Sequence, residues 1–349
     1  MELPKPFRLL DLPSLAHDVI FSPLKLEELY HLSKFSTRSR NVVRRFARRQ
    51  KFSFEIYAKR GSFELRIQSH CGKEQFCHEL RPSIRRYNDF PVQKVTSAID
   101  YWGAAKEEIV FIMDVFSGRV KRLYMEVRNA LEIAEFVKSI SLFPVESVVY
   151  TNSLFIDDEI YKYVLKEFRD AKELVIGSSP SSVFRFDDME PVNCEYLCID
   201  AADWVTVDHL ARCFSNVERV VLDFNQAKSQ ITPRLMHRFF KAWRNGSRIR
   251  ELDLECDWTD IDLQAMLKNV PNTEVKRVEV RSRKKVFEDR ECLLIRQEES
   301  GVEAVVYWGS PRKLLFPKAT LSFTTNFRLL RDDEPVENRR RSLPIPFFF

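Results

Sequence analysis

Between residues 12 and 46 the apolar residues mostly stand three or four positions apart, which is the spacing of one face of an α-helix. The series consists of Leu12, Leu15, Val19, Ile20, Leu26, Leu29, Leu32, Val42, Val43 and Phe46. Pro13 suits the first turn of a helix, and Ser36 offers a hydroxyl cap for another helix. The pattern predicts three short helices, at about 14–22, 25–35 and 38–49.

Four segments further along alternate between apolar and polar residues, which is typical of half-buried strands. These segments are 52–58, 63–67, 108–115 and 119–127. Turn residues stand between the members of each pair, at 59–62 and at Ser117-Gly118. The alternation therefore predicts two antiparallel strand pairs in a β-rich linker segment spanning 51–128.

Five later segments share one short pattern in which two apolar residues flank a central position. They are Lys172–Gly177, Glu195–Asp200, Glu218–Asp223, Arg250–Glu255 and Lys276–Arg281, and Val145–Tyr150 resembles a sixth. Helical spacing occurs between them, at about 129–141, 157–169, 205–214, 232–244 and 260–268. One strand and one helix every 23–32 residues is the pattern of a leucine-rich-repeat-like solenoid.

Together these elements predict an α+β chain. Three N-terminal helices (5–50) precede the β-rich linker, and an irregular, leucine-rich-repeat-like α/β repeat domain follows at 129–335, with antiparallel strands at its ends and a tail at 336–349. Stacked in parallel, the repeated strands would bury one face under the helices and leave the other face exposed. Strand parity places ten residues on that exposed face: Tyr196, Asp200, Arg219, Asp223, Glu251, Asp253, Glu255, Arg277, Glu279 and Arg281.

Composition narrows the classes of function. The net charge is +5, but residues 38–51 contain seven basic and no acidic residues, so the remainder carries −2. A generally basic surface is therefore not indicated, which argues against nucleic-acid binding without excluding it at 38–51. No apolar run is long enough to span a bilayer, no secretory leader is evident, and the seven cysteines are irregularly spaced. We expect a cytoplasmic or nuclear protein that has no membrane partner.

Motifs that carry catalysis or bind cofactors are not found in the sequence. It contains no GxSxG, HExxH, Walker or dinucleotide-binding motif. The pairs His70-Cys71 and Cys77-His78 lack the spacing and the second half of a usual zinc site. We therefore predict a protein that is not an enzyme, without a metal or another cofactor.

The N-terminal helices resemble an F-box, in the form found in the large nematode F-box family. The resemblance rests on Leu12-Pro13-x-Leu15, Ile20, Leu29-x-x-Leu32-Ser33-x-x-Ser36 and Arg40-x-Val42-Val43. The segment Phe239-Phe240-Lys241-Ala242-Trp243-x-x-Gly246-Ser247, followed by Leu252-x-Leu254, is similar to the F-box-associated domain of that family.

This resemblance implies a substrate receptor of an SCF-type ubiquitin ligase, docked on a Skp-type adaptor and through it on a cullin. The adaptor contacts implied by matching position are Leu12, Pro13, Leu15, Ile20, Leu29, Leu32 and Ser33. The exposed strand face is then our hypothesis for holding the target protein. Two alternatives remain: nucleic-acid binding through 38–51, and a repeat scaffold without a role in ubiquitin transfer. The residues alone also allow the rest of the chain to cover the apolar helices.

Overall fold

The computed structural model divides the chain into two compact units. Unit 1 comprises residues 1–188 and 192–201, and unit 2 comprises 189–191 and 202–349. The residues that the structure describes are 10, 12–60, 62–69, 75–80, 98–127, 129–141, 144–151, 158–224, 230–256, 263–267, 270–271, 273–280, 290–309 and 319–329. The predicted tail at 336–349 lies outside them.

Unit 1 begins with three short helices and continues as a sheet with further helices. Its helices are α1 (Ser14–Phe21), α2 (Leu26–Lys34), α3 (Thr37–Ala47), α4 (Ala98–Phe116), α5 (Ala130–Ile140) and α6 (Asp158–Glu167). Its strands are β1 (Phe52–Lys59), β2 (Ser62–Ser69), β3 (Gln75–Leu80), β4 (Gly118–Met125), β5 (Ser147–Tyr150), β6 (Glu173–Ile176) and β7 (Tyr196–Asp200). The three N-terminal helices therefore form where the apolar spacing predicts them.

The sheet of unit 1 has the strand order β7-β6-β5-β4-β1-β2-β3. The pairings β1–β4, β4–β5, β5–β6 and β6–β7 are parallel, whereas β1–β2 and β2–β3 are antiparallel. One face of β1 is buried by Phe52, Phe54, Ile56 and Ala58, and α4 packs on it, with the rings of Phe52 and Phe116 5.5 Å apart. The predicted 52–58/63–67 hairpin is confirmed.

The prediction of a strand at 108–115 is wrong, because these residues form the second half of α4. The buried residues of this helix recur at steps of three and four and end in an adjacent pair: Trp102, Ala105, Ile109, Ile112, Val115 and Phe116. The run of β-branched residues favoured a strand locally, but a continuous helical face covers the sheet and overrides that preference.

Ser117-Gly118 is accordingly a helix-to-strand junction and not a hairpin turn. Ser117 adopts a positive φ of 42°, and β4 then runs parallel to β1. At Gly118 a Cβ atom would lie 2.5 Å from the backbone oxygen of Phe52 and 2.7 Å from the Phe54 ring. Only glycine allows the two strands to approach this closely.

Unit 2 combines two strands of the repeated type with an antiparallel extension. Its elements are β8 (Arg219–Asp223), α7 (Pro233–Arg244), β9 (Glu251–Cys256), α8 (Leu263–Leu267), β10 (Glu274–Val280), β11 (Arg290–Arg296), β12 (Glu303–Gly309), β13 (Ala319–Thr324) and β14 (Phe327–Leu329). The strand order is β8-β9-β13-β12-β11-β10-β14. β8 and β9 are parallel, and every later pairing from β9 to β14 is antiparallel.

The predicted series of parallel strands holds for β5, β6 and β7 in unit 1 and for β8 and β9 in unit 2. It fails at the fifth segment, because β10 is not the neighbour of β9. β13 pairs with β9 instead, with Leu321 opposite Leu254, and β10 lies four strands away from β9. The alternation of apolar residues gives the two faces of a strand but does not determine its neighbour.

One of the predicted helices of the repeat region differs from expectation. The segment 205–214 contains a single π-helical turn, His209–Cys213, in place of a regular helix. α7 forms as predicted: Pro233 occupies its first turn, and Gly246 follows its end with φ +116°. The Trp243 indole N–H donates to the Ile249 carbonyl at 2.8 Å, which ties the end of α7 to the approach to β9.

We predict that Gly118→Ala lowers the free energy of unfolding by about 2 kcal/mol, because overpacking against backbone cannot be relieved by a side-chain movement. Gly103→Ala is the matched control. No atom lies within 4 Å of a Cβ at Gly103 in α4, so alanine there should stabilise the helix by about 0.5–1 kcal/mol. Chemical denaturation of both variants measures the difference, and equal midpoints would contradict the close approach of β1 and β4.

Candidate functional site

The three N-terminal helices have their own small core. The ring of Phe21 on α1 meets Phe46 on α3 edge to face, with centroids 5.7 Å apart, and His17 stacks on Phe21 at 5.6 Å. Ser36 starts α3: its hydroxyl accepts from the Ser39 backbone N–H at 3.1 Å, and the Ser39 hydroxyl accepts in return from Ser36 N–H at 3.0 Å. This reciprocal capping begins α3 at the hydroxyl cluster predicted from the sequence.

A polar junction fixes α2 to the rest of unit 1. The Tyr30 hydroxyl donates to the Glu108 carboxylate at 2.7 Å, and the Lys34 ammonium lies 2.7 Å from the other oxygen of the same carboxylate. The Tyr30 ring also packs beside Phe76 and His78 of β3, with centroids 5.2 Å and 5.1 Å away. We call the set Tyr30, Lys34, His78 and Glu108 the Tyr30 junction.

Burial dominates the electrostatics of this junction. It raises the pKa of Tyr30, and the hydrogen bond to the Glu108 carboxylate adds to the increase. Burial also lowers the pKa of His78, although the Glu108 charge 3.9 Å away opposes that effect. The tyrosine is therefore a neutral donor at pH 7, and the carboxylate is the acceptor that α2 needs.

Cationic side chains around the Phe111 ring strengthen the packing of α2 and α3 on α4. Lys34 of α2 lies 3.9 Å, and Arg40 of α3 lies 4.6 Å, from the centre of the Phe111 ring on α4. Arg44 forms an ion pair with Asp114, also on α4. As a result α2 and α3 are held against α4 by charged and aromatic contacts that lie outside the apolar core.

Several apolar side chains of the N-terminal helices remain uncovered. Leu15 and Val19 on α1 are each 76% exposed, and Phe35, at the end of α2, is 80% exposed. Large apolar side chains that are exposed one helical turn apart, as Leu15 and Val19 are, are typical of a contact site for another molecule. We call Leu15 and Val19, which stand one helical turn apart, the α1 apolar edge.

The seven predicted adaptor contacts separate into three groups by burial. Pro13 and Leu15 are exposed, and Leu12, Ile20 and Leu32 are partly buried. Leu29 and Ser33 are buried: Leu29 lies in the helical core, and the Ser33 hydroxyl donates to the Tyr30 carbonyl at 2.6 Å. Leu29 and Ser33 therefore stabilise the three N-terminal helices from inside their core. Val19 and Phe35 are exposed but were not among the predicted contacts.

The residues of the predicted strand ladder belong to both units. Tyr196 and Asp200 lie on β7 of unit 1, whereas β8 and β9 of unit 2 place Arg219 beside Glu251 and Asp223 beside Glu255. Arg219 and Glu251 form an ion pair at 3.1 Å. In β13, the next strand, Ser322 donates to Asp253 at 2.7 Å.

Placing Arg277 and Glu279 on that ladder is wrong. Both lie on β10, which is separated from β9 by three strands, or about 19 Å across the sheet at the usual strand spacing. Arg281 lies outside the described residues. The part of the ladder that unit 2 brings together consists of Arg219, Asp223, Glu251, Asp253 and Glu255, and we call it the β8–β9 ladder.

An aromatic patch that the sequence reading overlooked lies on the other face of β1 from α4. The rings of Tyr57 and Tyr124 are 5.9 Å apart, and the Arg66 guanidinium lies 4.4 Å from the centre of the Tyr57 ring. The Tyr57 hydroxyl donates to Glu55 at 2.8 Å, and burial raises the pKa of Tyr57. The alternation over 52–58 could have placed Tyr57 on the open face, but the parallel pairing that brings Tyr124 beside it was not foreseen.

A metal site is not assembled within the described part of the chain, where no three His, Cys, Asp or Glu side chains come together suitably. His70 and Cys71 of the doubtful metal pattern fall outside that part. Cys77 donates its thiol to Glu64 at 3.2 Å, and burial together with this bond raises the pKa of Cys77 to about 11. The thiol is thus neutral at pH 7. Among the helices described, none is both long and apolar enough to cross a bilayer.

We predict that Glu108→Ala lowers the opening free energy of α2 by about 2 kcal/mol, because it leaves the buried Tyr30 hydroxyl without its charged acceptor. The control is Glu107→Ala, an exposed neighbour on α4, which should change little. Native-state hydrogen exchange of the α2 amides reports the difference. Equal protection of α2 in both variants would show that the junction does not hold the helix.

Comparison with known proteins yields one match. Residues 173–254 match the family model described as F-box associated, a range that begins with β6 and extends into β9. No curated protein and no solved structure matches the chain. The matched range includes α7 and all of the β8–β9 ladder except Glu255. Over this range the chain is similar to the F-box-associated family, and the three N-terminal helices of this mixed α/β fold fit an F-box.

Proposed function

We propose that this chain is an F-box substrate receptor that docks on a Skp-type adaptor through α1 and presents a target protein to an SCF ubiquitin ligase. The observation that carries the proposal is the α1 apolar edge: Leu15 and Val19 are largely exposed, on a helix whose opposite side is packed on α3. Burying these side chains against a partner removes apolar surface from water, at roughly 25 cal/mol per Å².

The family match supports the other half of the proposal. The resemblance to the F-box-associated domain implies a part of the chain that holds the target, and the matched range 173–254 is where we expect the target to bind. Within it the β8–β9 ladder offers acidic and basic side chains on a sheet face, in a leucine-rich-repeat-like strand and helix alternation. Tyr196 and Asp200 on β7 are further candidates of the same kind in unit 1.

Such a receptor acts by proximity. It needs no nucleophile, metal or cofactor of its own, because holding the target near the ligase raises the effective concentration of the reacting groups. The adaptor would connect the chain to a cullin. The cytoplasm or the nucleus is the compartment in which we expect this assembly.

We predict that the double variant Leu15→Asp/Val19→Asp binds a purified Skp-type adaptor at least about 100-fold more weakly than the original chain, since each change places a charge in an apolar contact. The control is Val183→Asp, which changes another valine of unit 1 that is 77% exposed; this variant should bind the adaptor normally. Isothermal titration measures both affinities.

The same chains separate adaptor docking from target binding. In a pull-down with adaptor present, Asp223→Lys/Glu255→Lys should keep the adaptor and lose target proteins that the original chain retains. The α1 variant should do the reverse. Undiminished adaptor binding by the α1 variant, with normal folding, would refute the docking half of the proposal.

A further inference from the structure

The exposed side of α3 and its C-cap residue Arg48 carry a basic stripe of three arginines and one asparagine. Arg38, Asn41, Arg45 and Arg48 follow one another at steps of three and four residues, so they lie along one side of the helix, and all four are exposed. The opposite side, which includes Val43 and Phe46, is buried in the module. The basic segment seen in the sequence is therefore one face of an amphipathic helix.

The arginines of α3 and of the residues directly after it differ in whether they form an ion pair within the described part of the chain. Arg44 is paired with Asp114 on α4, and Arg49 is paired with Asp18 on α1. In contrast, no acidic group in the described part of the chain pairs with Arg45 or Arg48. Two exposed positive charges are thus left uncompensated between two arginines that tie α3 to its neighbours.

The Arg49–Asp18 pair brings the basic stripe next to the α1 apolar edge. Asp18 stands beside Val19 in sequence and one helical turn after Leu15, so the side of α1 that faces Arg49 adjoins the apolar edge. A molecule seated on Leu15 and Val19 therefore lies next to the uncompensated arginines. The two features form one composite surface, apolar on α1 and positively charged on α3.

We infer that the partner seated on this surface is an acidic protein, with carboxylates opposite Arg45 and Arg48 beside an apolar ridge on the α1 apolar edge. This inference rests on the proposed function, in which the partner is the adaptor, and it specifies the chemistry of the adaptor surface. Unpaired charges at the rim of an interface act mainly on the rate of association, because they steer the partner before contact.

The apolar half of the surface favours a protein over a nucleic acid. A phosphate backbone offers charge to Arg45 and Arg48 but no apolar counterpart to Leu15 and Val19. A protein surface that alternates apolar side chains with carboxylates satisfies both halves.

The test is the association rate of the full chain with a purified Skp-type adaptor at about 50 mM and about 500 mM salt. We expect Arg45→Glu/Arg48→Glu to slow association about tenfold at low salt and to remove most of its salt dependence, with little change in the dissociation rate. Arg45→Gln/Arg48→Gln should give an intermediate effect. It also keeps the test valid if the reversal variant folds poorly.

The matched control is Arg212→Glu/Lys241→Glu, which reverses two exposed positive charges of unit 2 and should change the rate less than twofold. Adaptor binding that is equally fast in the reversal variant and independent of salt would overturn the inference while leaving the proposed function intact. Absence of adaptor binding by the original chain would overturn both.

Two further experiments test whether the basic stripe binds RNA or a second copy of the chain instead of the adaptor. The full chain is titrated with a single-stranded RNA of about 20 nucleotides, and its self-association is followed by sedimentation. If Arg45→Glu/Arg48→Glu abolishes RNA binding or self-association but leaves the adaptor rate unchanged, the stripe serves that occupant and the inference is overturned. If neither binding nor self-association depends on these arginines while the adaptor rate does, the inference is supported.

Discussion

The arrangement of the N-terminal helices depends on the hydrogen bond from the Tyr30 hydroxyl to the Glu108 carboxylate. The tyrosine is 6% exposed, so its hydroxyl needs a partner within the protein, and α4 supplies it at 2.7 Å. The Lys34 ammonium neutralises the same carboxylate. This bond fixes α2, and α3 follows because it packs on α2 and pairs Arg44 with Asp114.

One consequence is that α1 is held without being enclosed. Phe21 and His17 anchor its inner side to α3, while Leu15 and Val19 point away from that core. A contact surface carried by an anchored helix loses little conformational freedom on binding, which lowers the entropic cost of association. The same anchoring sets the uncompensated arginines of α3 beside the apolar side chains of α1.

The spacing of apolar residues along the chain predicted an element correctly wherever that element has one buried face and one exposed face. The helices at 14–47, the first hairpin, α7 and the strands β5 to β9 agree with their apolar spacing. The failures have a common origin in long-range structure. Residues 108–115 have a composition that favours a strand, but they form a helix because their apolar side packs on the sheet. β10 belongs to an antiparallel set because β13 already pairs with β9.

The candidate site shows the same division between local and distant information. The spacing of Leu12, Leu15 and Ile20 predicted an apolar side of the first helix. It could not show which side of α1 the rest of the protein would cover. Leu29 and Ser33 matched the F-box pattern and are buried, whereas Phe35 matched nothing and is exposed. The outcome is decided by the contact of α2 with α4, which joins residues 78 positions apart in the chain.

Hydroxyl-radical footprinting of the full chain, alone and with a purified Skp-type adaptor, examines the exposed α1 surface most directly. Leu15 and Val19 should be oxidised readily in the free chain and protected when the adaptor is added, while buried Phe21 and Val43 stay protected throughout. Leu15 and Val19 that resist oxidation in the free chain, or that remain equally reactive with saturating adaptor, would contradict a docking role for α1.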